Sequence, residues 1–340
     1  MKNLKKIMLG AVAALTLCGA QVVQALTVNG AGATFPYPIY SKWFYEYNQK
    51  TGVQINYQSI GSGGGIQQLT AGTVNFGASD APMTDDQISK ISAGVLHFPT
   101  VAGAVALAYN VPGVTTKLKL TSAAVVDIYM GVVTKWNDAE IADENPGVTL
   151  PNLDITVAHR SDGSGTSNIF TNFLTKVSTK WAGSVGFGTS VKWPVGVGGK
   201  GNEGVAGLIS QIPGTIGYVE LAYAIKNNLT YALVKNRSGN FVEPTIESTT
   251  AAADGALKHM PADFRVMITN ASGANSYPIC GFTWLLVYRN YSDHATGKAI
   301  VDFLTWYLSA GESEVKDLYY APLPDSLIAK VQDKISQIKY

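Results

Sequence analysis

The amino-acid order predicts an α/β protein with largely parallel sheets, and three observations lead there. Short β-branched or aromatic runs alternate with stretches of helical period along most of the 340 residues. Glycine-rich turns stand where strands hand over to helices. The composition, 46% hydrophobic and 14% charged with 35 Gly, suits a packed core with many tight turns and not a disordered chain. At ~150 residues per domain, the length predicts about two domains.

In chain order, the first segment is set apart from the fold. Lys2, Lys5 and Lys6 precede the apolar run Ile7 to Ala20 and then Val23-Gln24-Ala25, the pattern of a secretory signal peptide spanning residues 1–25. That run is short for a membrane helix, which needs ~20 apolar residues, and no later stretch reaches this length free of charge. The mature chain is therefore expected to be exported and soluble. Lipid attachment at Cys18 wants a small residue before it, and Leu17 stands there. Losing residues 1–25 removes three lysines and no acid, which turns the formal net charge of +1 into −2. So balanced a charge excludes a nucleic-acid binder of the basic-patch type.

Pro36 and Pro38 open a helix predicted over Pro38–Gln49, entered by the tight turn Ala31-Gly32-Ala33-Thr34. Trp43, Phe44, Tyr45 and Tyr47 on it cannot share one face, so they read as core and rim packing and not as a sugar platform. A strand over Val53–Tyr57 and the turn Ser59-Ile60-Gly61-Ser62-Gly63-Gly64-Gly65 precede the helical Ile66-Gln67-Gln68-Leu69. The apolar extended stretches Val101–Asn110 and Tyr277–Arg289 flank a central block and are candidate crossings between two lobes. Inside the block, a strand over Ile155–Ala158 leads through Arg160-Ser161-Asp162-Gly163-Ser164-Gly165-Thr166 into a helix over Ser164–Val177, and Tyr231–Val234 reads as a strand. A strand over Thr283–Tyr288 and helices over Ala295–Ala310 and Asp325–Ile338 end the chain; Ile300, Phe303, Leu304 and Tyr307 carry the helical spacing. No internal repeat or low-complexity tract interrupts this order.

Three helix N-termini thus follow glycine-rich turns. Unpaired N–H groups and the positive end of the helix dipole make such turns natural oxyanion sites when they converge, whereas one alone is often only a bend. Arg160, at a strand end and four residues before Ser164, can fork onto an anion held there, or form a surface ion pair with Asp162, or both. Asp80, before Ala81-Pro82, is a turn residue on its own; in an anion cleft it would be an acceptor, sensible only for a ligand that carries a proton. His97, His159, His259 and His294 are scattered, with no clustered Cys, so neither a metal nor a cofactor is expected. Gly61-Ser62-Gly63-Gly64-Gly65 lacks the Lys of a P-loop, and Ser164 is not in G-x-S-x-G. Cys280, the cysteine left after the signal, lies in Ile279-Cys280-Gly281-Phe282 and reads as a buried hydrophobe without a function.

Taken together, the segments Asn29-Gly30-Ala31-Gly32-Ala33-Thr34-Phe35-Pro36, Gly61-Ser62-Gly63-Gly64, Val74 to Pro82, Arg160 to Ser167, Val191 to Gly196, Gly198-Gly199-Lys200-Gly201-Asn202, Ile216 to Glu220 and Leu323-Pro324-Asp325 resemble the periplasmic phosphate-binding proteins of ABC importers. The resemblance spans essentially the whole mature chain. It implies a two-lobed type II periplasmic binding fold with lobes joined by two crossing strands: residues 26–105 and 280–340 in lobe I, 106–279 in lobe II. It also implies one phosphate held between the lobes by Thr34 and Phe35, Ser62, Ser164, Gly165 and Thr166 as donors. Arg160 would be the cationic contact, supported by Asp162, and Asp80 would accept the ligand's proton. The sequence departs from several members at Gly63, where they carry a second Ser.

The expected protein is thus a monomeric carrier of inorganic phosphate, not an enzyme, whose partners are the permease subunits of an importer with its ATPase. A carrier of sulfate or molybdate would need a site free of an acceptor, which Asp80 opposes. A secreted phosphoesterase would need a nucleophile with an activating base or paired metals, and no such cluster is apparent.

Overall fold

The computed structural model describes residues 26–340; the signal segment 1–25 with Cys18 lies outside the described residues. The chain begins with β1 (Thr27–Gly32), α1 (Tyr37–Thr51), β2 (Gln54–Ser59), α2 (Ser62–Thr70), β3 (Phe76–Ser79) and α3 (Asp85–Ser89), which lead to the long β4 (Val95–Asn110). The next stretch runs through β5 (Lys119–Leu120), α4 (Ser122–Tyr129), α5 (Ala139–Ala142), β6 (Thr156–Arg160), α6 (Gly165–Val177), α7 (Thr179–Ser184), β7 (Val197–Gly199), α8 (Gly201–Gln211) and β8 (Thr215–Glu220). Then come α9 (Leu221–Lys226), β9 (Thr230–Tyr231), β10 (Leu233–Lys235), β11 (Phe241–Val242) and α10 (Ile246–Leu257), followed by β12 (Cys280–Tyr288), α11 (His294–Tyr307) and α12 (Asp325–Ile335). Among the described residues no helix is long and apolar enough to cross a membrane.

The main sheet has the strand order β2-β1-β3-β12-β4-β8-β6-β7, with β9 against β4, while β11, β10 and β5 form a small second sheet. Largely parallel sheets were the expectation, and the flanks meet it: β1 is parallel to β2 and β3, and β6 to β7 and β8. The centre differs. β12 pairs antiparallel with both β3 and β4, and β4 with β8. The chain leaves the first flank along β4, builds the second flank and returns along β12, so β4 and β12 run in opposite senses. β4 pairs with β12 from Val95 to Ala104 and with β8 from Val105 to Asn110, so one strand belongs to both flanks. It is buried along almost its whole length, which explains an apolar run without alternation.

The predicted elements form, with shifted ends. α1 starts behind Pro36 and stops at Gly52, whose left-handed backbone lets its N–H reach the Asn48 carbonyl. Its aromatic run divides as expected: Trp43, Phe44 and Tyr47 are buried, whereas Tyr45 is 66% exposed. α11 begins at His294 because the Asp293 carboxylate caps the N–H groups of Ala295 and Thr296. It ends at Tyr307, before two short 3₁₀ turns. The strand read at Tyr231–Val234 is split, since Tyr231 pairs across β4 and Leu233 pairs with β5.

This topology decides where a ligand can sit. Six strands run parallel within the two flanks, and their carboxyl ends lead into Thr34, Ser62, Asp80, Arg160, Asn202 and Glu220 respectively. In α/β sheets the carboxyl ends of strands, where loops feed helix N-termini, are where ligands bind.

Candidate functional site

The turn after β1 is held by its carbonyls. Tyr57, Tyr223 and Tyr320 donate their hydroxyls to the consecutive carbonyls of Ala33, Thr34 and Phe35, at 2.7, 2.6 and 2.6 Å. In a trans peptide the N–H points opposite to the C=O, so these anchors turn the N–H groups of Thr34 and Phe35 away from the tyrosines. Neither N–H donates to another group among the described residues. Both side chains are buried, and a Cβ on Gly103 would collide with the Phe35 ring.

Ser62 and Asp80 form the second part. Gly61 enters α2 with φ 87, a backbone that favours glycine, and puts Ser62 at the first helical position. The Ser62 Oγ accepts from the backbone N–H of Asp80 and from that of Gly165, both at 3.1 Å. Asp80, 1% exposed, accepts from the Thr283 hydroxyl on Oδ1 at 2.9 Å. Burial pushes its carboxyl up from 3.8 to about 7, against the opposing pull of the Thr283 hydroxyl, the Arg160 charge and Ser62. Gly165 must be glycine here, because a Cβ would collide with Asp80 Oδ2 and Ser62 Oγ.

Arg160 supplies the positive charge. Its side chain is 1% exposed and grips Asp162 in a fork, Nε to Oδ1 at 2.8 Å and Nη2 to Oδ2 at 2.5 Å. Nη1 reaches Thr166 Oγ1 at 3.4 Å. A guanidinium has five N–H groups, so two remain for an anion. Burial raises the Asp162 carboxyl, but the Arg160 hydrogen bonds and charge and the Gly201 N–H outweigh it and hold it below the ordinary range. The pairing alternative for Arg160 is met: it pairs with Asp162, and the pair is largely buried, not a surface one. His159, next door, faces the other way and stacks on Trp193 at 5.0 Å.

The N-terminus of α6 adds further donors. Ser164 spends its backbone N–H on Thr189 O and caps the helix with Oγ, which accepts from Ser167 N at 3.0 Å, so only its O–H is free to donate outward. The N–H of Thr166 donates to no group among the described residues. Asn202, at the start of α8 and fully buried, donates from Nδ2 to Thr34 Oγ1 at 2.7 Å and to Thr166 Oγ1 at 3.1 Å.

All the sequence-predicted residues therefore lie in one neighbourhood, with contacts linking residues far apart in the chain: Ser62 to Gly165, Gly63 N to Gly163 O at 2.9 Å, and Thr34 to Asn202. The departure at Gly63 has a local reason, since a Cβ there would press on Gly163 Cα at 3.0 Å. Sequence reasoning missed Asn202, Thr283 and the three tyrosines. Asn202 had a usable signal, because Gly198-Gly199-Lys200-Gly201 is a fourth glycine-rich turn before a helix; Thr283, inside an apolar strand, had none. Among the described residues no cluster of three or more His, Cys, Asp or Glu could hold a metal.

What converges is a cluster of polar groups with many donors, the Arg160–Asp162 pair and the carboxylate of Asp80. Cys280 plays no part in it; burial pushes its thiol up to about 12.

Residues 20–310 match a family described as a PBP superfamily domain. The chain is 46% identical over 314 residues to the phosphate-binding protein PstS of Xylella fastidiosa (strain Temecula1), covering 92% of this chain and 86% of that protein. It is 43% identical over 321 residues to PstS of Haemophilus influenzae, covering 94% and 96%. A solved high-affinity periplasmic phosphate-binding protein with bound phosphate superposes with a TM-score of 0.75 at 22% identity, covering 91% of this chain and 94% of that one, a likeness of fold. The fold is the two-lobed type II periplasmic binding fold, in which β4 pairs within both flanks of the main sheet. The chain belongs to the PBP superfamily and, within it, to the PstS phosphate-binding proteins.

Proposed function

We propose that this chain captures inorganic phosphate between two hinged lobes in the periplasm and delivers it, as a monomer and without catalysis, to the permease subunits of an ABC importer. The lobes would be residues 26–105 with 280–340, and 106–279; the change of partner of β4 between Ala104 and Val105 supports that division. Residues 1–25 would direct export. Phosphate would receive hydrogen bonds from the N–H groups of Thr34, Phe35 and Thr166, from the hydroxyls of Thr34, Ser62, Ser164 and Thr166, and from Arg160 held by Asp162. Gly165 would let the third turn close on Ser62 and Asp80, its N–H being shared with Ser62.

The observation that carries this reading is Asp80, a buried carboxylate facing donors. Around a fully deprotonated tetrahedral anion it would set lone pairs against lone pairs, whereas phosphate brings a proton to it. A site built around a ligand's donor disfavours the analogue lacking it, because the buried acceptor is left unpaired or must first take a proton from solvent. Arsenate carries the same protons and escapes that filter. Tryptophan fluorescence of the ligand-stripped protein, titrated with phosphate and with sulfate at matched ionic strength and pH 8, tests it. Saturation by phosphate at micromolar concentration or below, with no sulfate response, is expected. Equal responses to both refute it.

A further inference from the structure

Hydroxyl groups are ambivalent: each has one hydrogen to give and two lone pairs that accept. In a site meant to read protons, that ambivalence would blur selectivity, because a rotated hydroxyl could accept from the ligand in place of Asp80. The surroundings of three hydroxyls remove it. Ser62 Oγ has both lone pairs taken by the N–H groups of Asp80 and Gly165. Thr34 Oγ1 accepts twice from one residue, from Asn202 Nδ2 at 2.7 Å and from Asn202 N at 3.2 Å. Thr166 Oγ1 accepts from Asn202 Nδ2 at 3.1 Å and from Arg160 Nη1 at 3.4 Å.

Asn202 cannot be turned over to reverse this. Its Oδ1 accepts from the backbone N–H of Glu220 at 2.9 Å, a donor that has no alternative role, so the amide nitrogen must face the two threonines. Both amide hydrogens are then spent, one on each hydroxyl. The residue is fully buried, fixed at the second position of α8 and tied to the end of β8.

We infer that Asn202 is a positioning residue that makes Thr34 and Thr166 obligate donors and so removes two hydroxyls that would otherwise compete with Asp80 for the ligand's proton. The inference rests on the phosphate reading above and adds to it the device that sets the direction of the hydroxyls. Asn202 also spans the two proposed lobes, so the polarity of Thr34 is completed only when they are closed.

The test is Asn202→Asp, which keeps the acceptor for Glu220 N–H and the side-chain shape but turns the face toward the threonines from donor to acceptor. Phosphate affinity is measured by calorimetry at pH 8 for the parent, Asn202→Asp, Thr166→Val and the double variant, with thermal unfolding alongside. Expected are a loss of ~100-fold for Asn202→Asp and ~10-fold for Thr166→Val. In the Asn202→Asp background, Thr166→Val should cost under about twofold, because that hydroxyl no longer points at the anion. A residue that only supports the fold would give additive losses, and additivity overturns the inference; so does Asn202→Asp binding within threefold of the parent. Should Asn202→Asp fail to fold, Asn202→Ala takes its place in the cycle, with a smaller loss and the same non-additivity expected. A parent that ignores phosphate overturns the phosphate reading itself, and the inference with it.

Discussion

Raising the pH should sharpen discrimination between phosphate and sulfate, because the two ligands make opposite demands on Asp80. Burial lifts its carboxyl to about 7, so near neutrality it exchanges its proton readily. Sulfate brings no proton and fits a donor-lined chamber only if Asp80 is protonated and donates. Above pH 7 that protonation costs about 1.4 kcal/mol per pH unit, a tenfold loss of sulfate affinity for each. Between pH 7 and pH 9 sulfate binding should fall ~50-fold, whereas phosphate, carrying the one proton that Asp80 accepts, should rise by a few-fold at most. Below pH 7 sulfate binding should plateau, and phosphate should weaken as Asp80 itself takes up a proton from solvent. Competition calorimetry at fixed ionic strength from pH 6 to 9 measures both. Asp80→Asn, a permanent donor at that position, should bind sulfate with no such slope, and should bind phosphate more weakly than the parent. A sulfate affinity flat or rising from pH 7 to 9 in the parent would refute the proton-reading argument.

Other perturbations follow from the same geometry. Arg160→Ala removes the buried cation and strands Asp162, and should weaken phosphate ~100-fold, about 3 kcal/mol, while circular dichroism stays unchanged. Gly165→Ala places a methyl against Asp80 and Ser62 and should lower phosphate affinity at least ~10-fold with little change in urea stability; parent-like binding would show that this turn does not close on the ligand. His97 accepts from Met83 N–H at 3.1 Å, and burial, with the Arg265 charge adding to it, pushes it down to about 3. Its folded value lies below its unfolded one, so stability present above pH 6.5 is lost as pH falls toward 3. His97→Gln keeps the acceptor and should shrink the drop in urea stability between pH 7.5 and pH 4.5 by about 2.7 kcal/mol. Asp80 acts in the opposite sense over about pH 4 to 7, since its raised value makes the folded state bind the proton more tightly, and it leaves the His97→Gln difference untouched.

Much of this was legible because the signals are local. The turn preceding Ser62 and the one from Arg160 to Thr166 announce helix starts by glycine and by small capping residues within a few positions. Ser62, Ser164, Gly165 and Thr166 sit in these turns and Thr34 and Phe35 follow a third after β1, and the family resemblance carried by those segments is what named them as donors. Strand ends moved by one to six residues, because pairing partners and not propensity decide where a strand stops, as the splitting of Tyr231–Val234 illustrates.

Residues that act across the chain left no such trace. Tyr57, Tyr223 and Tyr320 look like ordinary core aromatics until their hydroxyls are seen on three consecutive carbonyls. Thr283 is one polar residue in an apolar strand until the bulge-marked register of β12 brings it to Asp80.

By itself, then, the order of residues determined the α/β alternation, the placing of small residues at helix starts and the chemistry on offer, since each depends on neighbours within about one turn of chain. The tertiary structure alone decided the antiparallel centre, the burial that lifts Asp80 to about 7 and the direction in which Thr34 and Thr166 point their hydrogens. Desolvation and hydrogen-bond polarity are properties of a surrounding volume, and that volume exists only when strands remote in sequence end at the same place.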